Sequence, residues 1–260
     1  MKKQFQKYIK NFKKGTFSEA FNSVKKNPKQ FFFSVLMDLC FLLAALLLGW
    51  IGNKITPFLI RSNDMTAMII SMFIYALLLV LIYSFTKYIA LYFVKNIFKK
   101  VKFTLSKIEN FYLVNIIGVV ILLVAAALLS SIVLGGLRQS FIEWASKILI
   151  TFAILFIVVL IGFAHSLFAL GFNLKDVLKK AFSLTFSKLN KYYGIFVFNI
   201  GSFLVYSGIY YGLAKVLEVF FTLNISRFNT LFSALGVLLF HFFQAFNRVY
   251  FYIIAKRITK

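Results

Sequence analysis

Residues 65–94 read MTAMIISMFIYALLLVLIYSFTKYIALYFV, and they indicate the class of this protein because Lys87 is the only charged side chain among them. Crossing the ~30 Å hydrocarbon core of a bilayer takes about 20 helical residues, so this stretch is long enough to span a membrane. Five similar apolar stretches lie at 31–53, 111–137, 147–172, 194–222 and 229–255. Since 61% of the 260 residues are apolar, the sequence predicts an all-α, polytopic integral membrane protein with six transmembrane helices.

The basic residues divide the chain into segments and predict its orientation. The net charge is +23, and most lysines lie before span one, between spans two and three, between spans four and five, and after span six. Lysine and arginine are retained on the cytoplasmic face of a membrane. We therefore expect a basic cytoplasmic segment at 1–30, a transmembrane domain at 31–255 and a basic tail at 256–260, with both termini cytoplasmic in the cell membrane. The bias towards Phe, Lys and Ile is typical of an AT-rich prokaryotic genome.

The lysine-rich segments recur at a regular spacing. Lys26, Lys107 and Lys188 are each 81 residues apart, and each precedes an outward-going span. This spacing predicts three transmembrane hairpins, each preceded by a basic segment. It fits an internal triplication and equally well three independent signals for membrane insertion.

Two of the basic segments have the apolar periodicity of amphipathic helices. Apolar side chains recur at i, i+3, i+4 and i+7 over 5–12 and 17–24, and a similar pattern covers 174–182. We expect these helices to lie in the headgroup plane on the cytoplasmic side, with their apolar sides in acyl chains and their lysines among the phosphates.

Five lysines flanking these segments are candidate contacts for anionic lipid headgroups: Lys25, Lys26, Lys179, Lys180 and Lys188. Near an anionic surface each lysine contributes on the order of 1 kcal/mol. The plainer interpretation is that they only direct insertion and anchor the chain. A strongly basic chain is also typical of nucleic-acid-binding proteins. Here the apolar stripes between the lysines favour a membrane surface, so no nucleic-acid partner is expected.

Three ionisable residues lie at similar depth inside the spans. Asp38, Lys87 and Arg248 are each eight residues from the polar or basic residue at the inner border of their span, about 12 Å at ~1.5 Å per residue. Asp38 is the only acid deep in a span, so Lys87 or Arg248 is its expected partner in a buried ion pair. In the alternative, both cations extend to the headgroups and Asp38 alone stays buried.

Spans five and six also carry polar stripes, formed by Asn199, Ser202 and Tyr206 on one and by His241, Gln244 and Arg248 on the other. Together these stripes predict a hydrated crevice open to the cytoplasm. Span five further contains four glycines that allow another helix to approach closely: Gly194, Gly201, Gly208 and Gly212. Packing within the chain is the default use of such glycines, and a homodimer interface is the alternative.

The chain lacks the motifs of membrane enzymes. It contains no H-E-x-x-H, no G-x-S-x-G and no phosphate-binding glycine loop, and its seven acids include no aspartate-rich motif. Cys40 is the single cysteine, and His165 and His241 lie on separate spans, which makes a poor metal site. We therefore expect no enzymatic activity, cofactor or metal.

The segment from Gly15 to Phe21, followed by Lys25-Lys26-Asn27-Pro28, resembles the start of a broad group of six-helix membrane proteins. The group includes the membrane domain found beside glycerophosphodiester phosphodiesterases. Residues 180–190 look like the same group's internal repeat of that start. The resemblance implies a six-helix layout and no catalytic residue, because the phosphodiesterase domain itself is absent from this sequence.

Two functions therefore remain open. The first is a non-catalytic protein that binds anionic lipids in the bilayer and organises the membrane, alone, as a homo-oligomer or with a membrane partner protein. The second is a transporter or permease for an anionic or amphiphilic solute. The only prolines, Pro28 and Pro57, lie at span borders, and the lack of an interrupted span favours the first function.

Overall fold

The computed structural model describes residues 15–61, 65–136, 139–187, 189–220 and 225–259, and nearly all of them are helical. They form eight helices: α1 Thr16–Lys26, α2 Pro28–Arg61, α3 Met65–Phe98, α4 Ile108–Gly136, α5 Gln139–Leu170, α6 Leu174–Ser187, α7 Leu189–Phe220 and α8 Ile225–Ile258. The prediction of an all-α protein is confirmed. The amphipathic pattern at 5–12 lies outside the described residues.

Within the part of the chain that the structure describes, four helices are long and apolar enough to cross a membrane. Their qualifying segments are Pro28–Pro57, Met65–Phe98, Tyr192–Val216 and Phe232–Ile258. Helices α4 and α5 contribute shorter apolar segments, Ile108–Ile121 and Leu155–Leu170, among the described residues. These segments are helical because a helix satisfies its own backbone hydrogen bonds, as an apolar environment requires, and Pro57 is their only internal proline. A chain with such helices has the character of a membrane protein.

Helix α8 is the centre of the helix packing. It contacts α1, α2, α3, α5 and α7, while α2 packs on α3, α3 on α4, and α4 on α5. The helices α2, α3, α4, α5 and α8 therefore surround a common interior. Helix α7 packs against α8 from outside this group, with only small contact to α6.

Burial is concentrated at one end of the bundle. This end carries Lys25, Lys95, Lys179 and Lys256 and is called the lysine-rich end. The buried residues cluster at the start of α2 and α4 and at the end of α3, α5 and α8, where Ala245–Ala255 is buried throughout. Towards the other end of the bundle, large apolar side chains are exposed. Examples on α2 and α3 are Leu43, Trp50, Met65 and Phe73. Tight packing at one end thus gives way to apolar surface at the other, which suits contact with acyl chains.

The apolar side of α1 packs on the bundle only in part: Phe17 and Ala20 contact protein, whereas Phe21 of the same side stays 57% exposed and available to acyl chains. Ala20 is fully buried, and the Phe17 ring lies 5.3 Å from the Phe246 ring of α8. On the outer side, Arg257 forms an ion pair with Glu19. The small Ala20 side chain permits this close approach, and α1 is thereby fastened to the end of α8.

The apolar side of α6 is likewise covered by protein only in part. Val177 and Ala181 are buried, and α6 turns back along α5 so that the Phe186 ring lies 5.0 Å from the Phe156 ring. Sequence periodicity identifies the apolar side of α6 but not what covers it. Protein covers Val177 and Ala181 because the turn after α5 reverses the chain and places α6 against its neighbour, whereas Phe182 and Phe186 remain exposed.

Candidate functional site

A buried charged cluster joins three helices at the lysine-rich end. Asp38 of α2 is fully buried; its Oδ1 accepts a hydrogen bond from Lys87 Nζ of α3, and its Oδ2 accepts one from Arg248 Nη2 of α8. Arg248 Nη1 also donates to Ser34 Oγ, at 2.7 Å, one turn before Asp38 on α2. The sequence predicted a pair of Asp38 with either Lys87 or Arg248. The structure pairs Asp38 with both and adds Ser34.

Neither cation of this cluster reaches towards headgroups. The side chains of Lys87 and Arg248 are only 12% and 10% exposed, so the alternative in which both extend to the membrane surface is wrong. Lys87 Nζ also lies 5.3 Å from the centre of the Tyr83 ring and 5.6 Å from that of Phe41. Aromatic faces attract cations, so these rings offset part of the cost of burying a second positive charge beside one carboxylate.

The cluster links three helices through paired charges. Taking charges out of water costs several kcal/mol per ion, and this cost is recovered only when the charges are paired and hydrogen-bonded. Asp38, Lys87 and Arg248 satisfy one another in this way, and their partners lie on three helices that are distant in sequence. The arrangement thus selects one register of α2, α3 and α8.

A second polar network lies beside the first. His165 Nε2 of α5 is 2.7 Å from Asn115 Oδ1 of α4, and Asn115 Nδ2 donates to Ser84 Oγ of α3 at 2.9 Å. An amide oxygen only accepts, so with the amide in this orientation Nε2 of His165 carries the hydrogen. The sequence placed His165 within a span; Asn115 as its partner, and Ser84 as the partner of Asn115, emerge only from the packing. Among the described residues, no group of three His, Cys, Asp or Glu side chains lies close enough to hold a metal ion.

A crevice of about 610 Å³ lies between α7 and α8. Of the six predicted crevice residues, Asn199, Tyr206 and Gln244 line it, whereas Ser202, His241 and Arg248 do not. At about 100° per residue, Gln244 is turned about 60° from His241 around the helix axis. That rotation divides the predicted stripe of α8 between two neighbours, because Gln244 faces the crevice while Arg248 points to Asp38.

Two buried amide oxygens at this crevice are unpaired. Asn199 Oδ1 and Asn247 Oδ1 both lack a hydrogen-bond partner within the described residues, and both side chains line the crevice. Asn247 was not among the predicted crevice residues. Its place beside Gln244 on the helix, three residues on, is the signal that would have included it.

The glycines of α7 do not pack as expected. A Cβ added at Gly201, Gly208 or Gly212 would meet nothing within 4 Å, and one added at Gly194 would lie 3.6 Å from the Tyr250 hydroxyl. The interpretation of all four as an internal helix contact is therefore wrong for three of them. Helix α7 meets α8 on another side, where Tyr206 of α7 approaches Gly236 of α8 and donates to the Phe232 carbonyl.

The candidate lipid-contacting lysines are placed at the lysine-rich end. Lys25, Lys26 and Lys179 are exposed. Lys180 is half-buried, and its Nζ lies 4.0 Å from the centre of the Phe172 ring. Lys188 lies outside the described residues. Three of the five ammonium groups are thus free to meet solvent or headgroups.

Comparison of the chain with family models, with curated proteins and with solved structures finds no match. The resemblance to the membrane domain found beside glycerophosphodiester phosphodiesterases therefore stays a prediction from the two short segments that carry it.

Proposed function

We propose that this protein is a non-catalytic, six-span protein of the cell membrane that binds anionic lipids at its lysine-rich end and organises the surrounding bilayer. The observation that carries the proposal is that the exposed lysines lie on the tightly packed end of the bundle. The opposite half presents apolar surface.

The helix lengths support six spans. Helices α4 and α5 are 29 and 32 residues long, which corresponds to more than ~40 Å at ~1.5 Å per residue. Sequential pairs pack together: α2 with α3, α4 with α5, and α7 with α8. Three hairpins of this kind return the chain to its starting side. The ion pair between Arg257 and Glu19 joins segments near the two ends of the chain and agrees with both termini being cytoplasmic.

A rigid end gives the lysines fixed positions. Asn27, between α1 and α2, donates to the carbonyl of Ile97 in α3 at 3.1 Å. Lys256 Nζ of α8 lies 5.5 Å from the centre of the Phe98 ring. These contacts hold the ends of α1, α3 and α8 together, so their ammonium groups form one basic surface. A surface of this kind attracts anionic lipids in proportion to its charge.

The experiment is lipid analysis of the purified protein by native mass spectrometry. The variant replaces Lys25, Lys26, Lys179, Lys180 and Lys188 with glutamine. The matched control replaces five basic residues of the predicted outer side with glutamine: Lys54, Arg61, Arg138, Lys147 and Arg227. We expect the first variant to lose co-purifying anionic lipid and the control to keep it. Retention in the parent should also weaken with salt, as the Debye length falls from ~10 Å at 0.1 M to ~3 Å at 1 M. Equal retention by both variants contradicts lipid binding by this surface.

One observation favours transport of an amphiphilic solute as a second candidate function. The crevice between α7 and α8 contains the Oδ1 atoms of Asn199 and Asn247, which have no hydrogen-bond partner among the described residues and can accept hydrogen bonds from a solute. Replacing Asn247 with leucine distinguishes the two functions. In a scaffold this change leaves lipid binding intact and is neutral or stabilising, because it removes an unpaired buried polar atom. In a transporter it abolishes solute-dependent flux into proteoliposomes without unfolding the protein.

A further inference from the structure

A separate pocket lies at the lysine-rich end, where α3 ends and the chain continues to α4. Its volume is about 180 Å³, which corresponds to several water molecules at ~30 Å³ each and is large enough for a phosphate group. Lys95 lies in the last turn of α3, and Lys102 and Lys107 lie on the connection to α4; all three line the pocket. None of them was among the candidate residues of the sequence.

The connection that forms this pocket is held in a defined conformation. Asn96 Oδ1 accepts a hydrogen bond from the backbone N–H of Val101 at 2.9 Å, and the Tyr88 hydroxyl donates to the carbonyl of Thr104 at 2.7 Å. The Phe103 ring lies 5.1 Å from the Tyr92 ring. These contacts come from side chains of α3, so the lysines are carried on a braced segment rather than on a free loop.

The opposite wall of the pocket is the end of α5, which closes with a reversal of the chain. Gly171 has a φ of +100°, a conformation that favours glycine. Its N–H donates to the Phe168 carbonyl at 2.9 Å, and the next N–H donates to the Leu167 carbonyl at 3.2 Å. Such a turn satisfies backbone groups at the end of a helix. Nothing lies within 4 Å of the missing Cβ of Gly171, so this wall leaves open space.

The charge of the pocket is not balanced by the protein. Within the described residues, none of the ion pairs involves Lys95, Lys102 or Lys107. Lys95 is half-buried, whereas Lys102 and Lys107 are exposed. The carboxyl end of α5 contributes a partial charge of about −0.5, which offsets only a fraction of three ammonium groups. Lysines of one sign in a formed pocket make a binding site for an anion.

We propose that this pocket binds a phosphate group, supplied either by the headgroup of an anionic lipid or by a free phosphate. The inference rests on the proposed function for its lipid form and names the pocket in which one headgroup is held. Ammonium groups bind phosphate as point charges, and the three lysines line one cavity at the lysine-rich end. The exposed lysines of α1 and α6 attract lipid over an area, whereas this pocket selects a single phosphate.

The test uses the full chain in detergent and three probes: dioctanoyl phosphatidic acid, inorganic phosphate and zwitterionic dioctanoyl phosphatidylcholine. The pocket variant replaces Lys95, Lys102 and Lys107 with glutamine. The matched control replaces Lys29, Lys100 and Lys175, which are exposed lysines of the same end, and so removes the same charge. Binding is measured by calorimetry and native mass spectrometry. Lys102→Glu serves as a second variant, because this exposed side chain is changed with little risk to folding.

We expect the parent to bind one phosphatidic acid saturably and to bind phosphatidylcholine weakly. The affinity for phosphatidic acid should fall about 100-fold in the pocket variant and about tenfold in Lys102→Glu, and it should change less than about threefold in the control. If the protein binds phosphatidic acid but does not bind inorganic phosphate, the pocket takes its phosphate group from a lipid headgroup. Competition by inorganic phosphate identifies a site that also accepts the free ion.

If the pocket variant and the control bind phosphatidic acid equally well, the proposal that this pocket binds phosphate is overturned. In that case, anionic lipid retained by the parent leaves the proposed function standing. Conversely, saturable binding of inorganic phosphate that is lost in the pocket variant supports the pocket even when the parent retains no anionic lipid. The two failures are therefore distinguishable.

Discussion

Asp38 and Arg248 lie 210 residues apart in the chain and form a buried ion pair between α2 and α8. Lys87 of α3 binds the other oxygen of the same carboxylate. One carboxylate thus joins the first, second and last long helices of the bundle. Because Asp38 is fully buried, this junction is also where a single substitution has the largest expected effect on stability.

Removal of Asp38 should strongly destabilise the protein. Asp38→Asn leaves two buried cations without a counter-charge, and breaking a buried pair costs about 3–5 kcal/mol. Thermal unfolding in detergent measures the loss. The control is Glu19→Gln, which breaks the ion pair with Arg257. The side chains of Glu19 and Arg257 are 44% and 47% exposed, and exposed pairs contribute about 0–1 kcal/mol to stability.

Coupling between Asp38 and Arg248 can be measured directly. In a double-mutant cycle with Asp38→Asn and Arg248→Met, the loss in the double variant should be smaller than the sum of the single losses, by about 0.5–3 kcal/mol. The second substitution removes the charge that the first leaves unpaired. Strictly additive losses would show that the two side chains do not interact in the folded protein.

Substitution of glycines should distinguish helix contacts from open surface. A Cβ at Gly162 would lie 2.7 Å from Cδ2 of the buried Phe251 ring of α8, so Gly162→Ala should cost about 1–3 kcal/mol through overpacking. Gly201→Ala is the matched control, since nothing lies near its Cβ position. That change should be neutral or stabilising by up to about 1 kcal/mol. A destabilising Gly201→Ala would instead indicate a partner on that face of α7.

The network around Asn115 should contribute to stability independently of the charged cluster. Asn115→Ala removes the partner of His165 and one hydrogen bond of Ser84, and an unsatisfied buried group costs about 1–3 kcal/mol. Asn22→Ala is the control, because Asn22 makes only an exposed hydrogen bond at 3.4 Å and should change stability by less than about 0.5 kcal/mol. Equal stability of the two variants would contradict a structural role for the network.

Cysteine labelling tests the proposed topology. In a Cys40→Ala background, cysteines at positions 100 and 180 should react with a membrane-impermeant reagent only after the cytoplasmic side is exposed. A cysteine at position 138 should react from the other side. The expectation follows from the retention of lysines on the cytoplasmic face. Labelling of all three positions from one side would contradict six spans.

The sequence by itself determined the class of the protein and the depth of its unusual residues. Apolar composition is a local property, and residues 65–94 are apolar enough to span a bilayer whatever surrounds them. A helix also converts sequence distance into depth at ~1.5 Å per residue. This is why Asp38, Lys87 and Arg248 could be grouped before any packing was known.

Only the tertiary structure decided which surfaces meet. Helical periodicity identifies an apolar face, but lipid and protein are both apolar, so the covering of Ala20 and Ala181 by protein could not be predicted from the sequence. The glycines of α7 were misinterpreted for the same reason, while Gly162 was missed because its contact with Phe251 depends on where α8 lies. The pocket around Lys95 likewise requires the end of α5 as its second wall. Contacts between segments distant in the chain depend on the angles and rotations of whole helices, and these result from the packing of all side chains together.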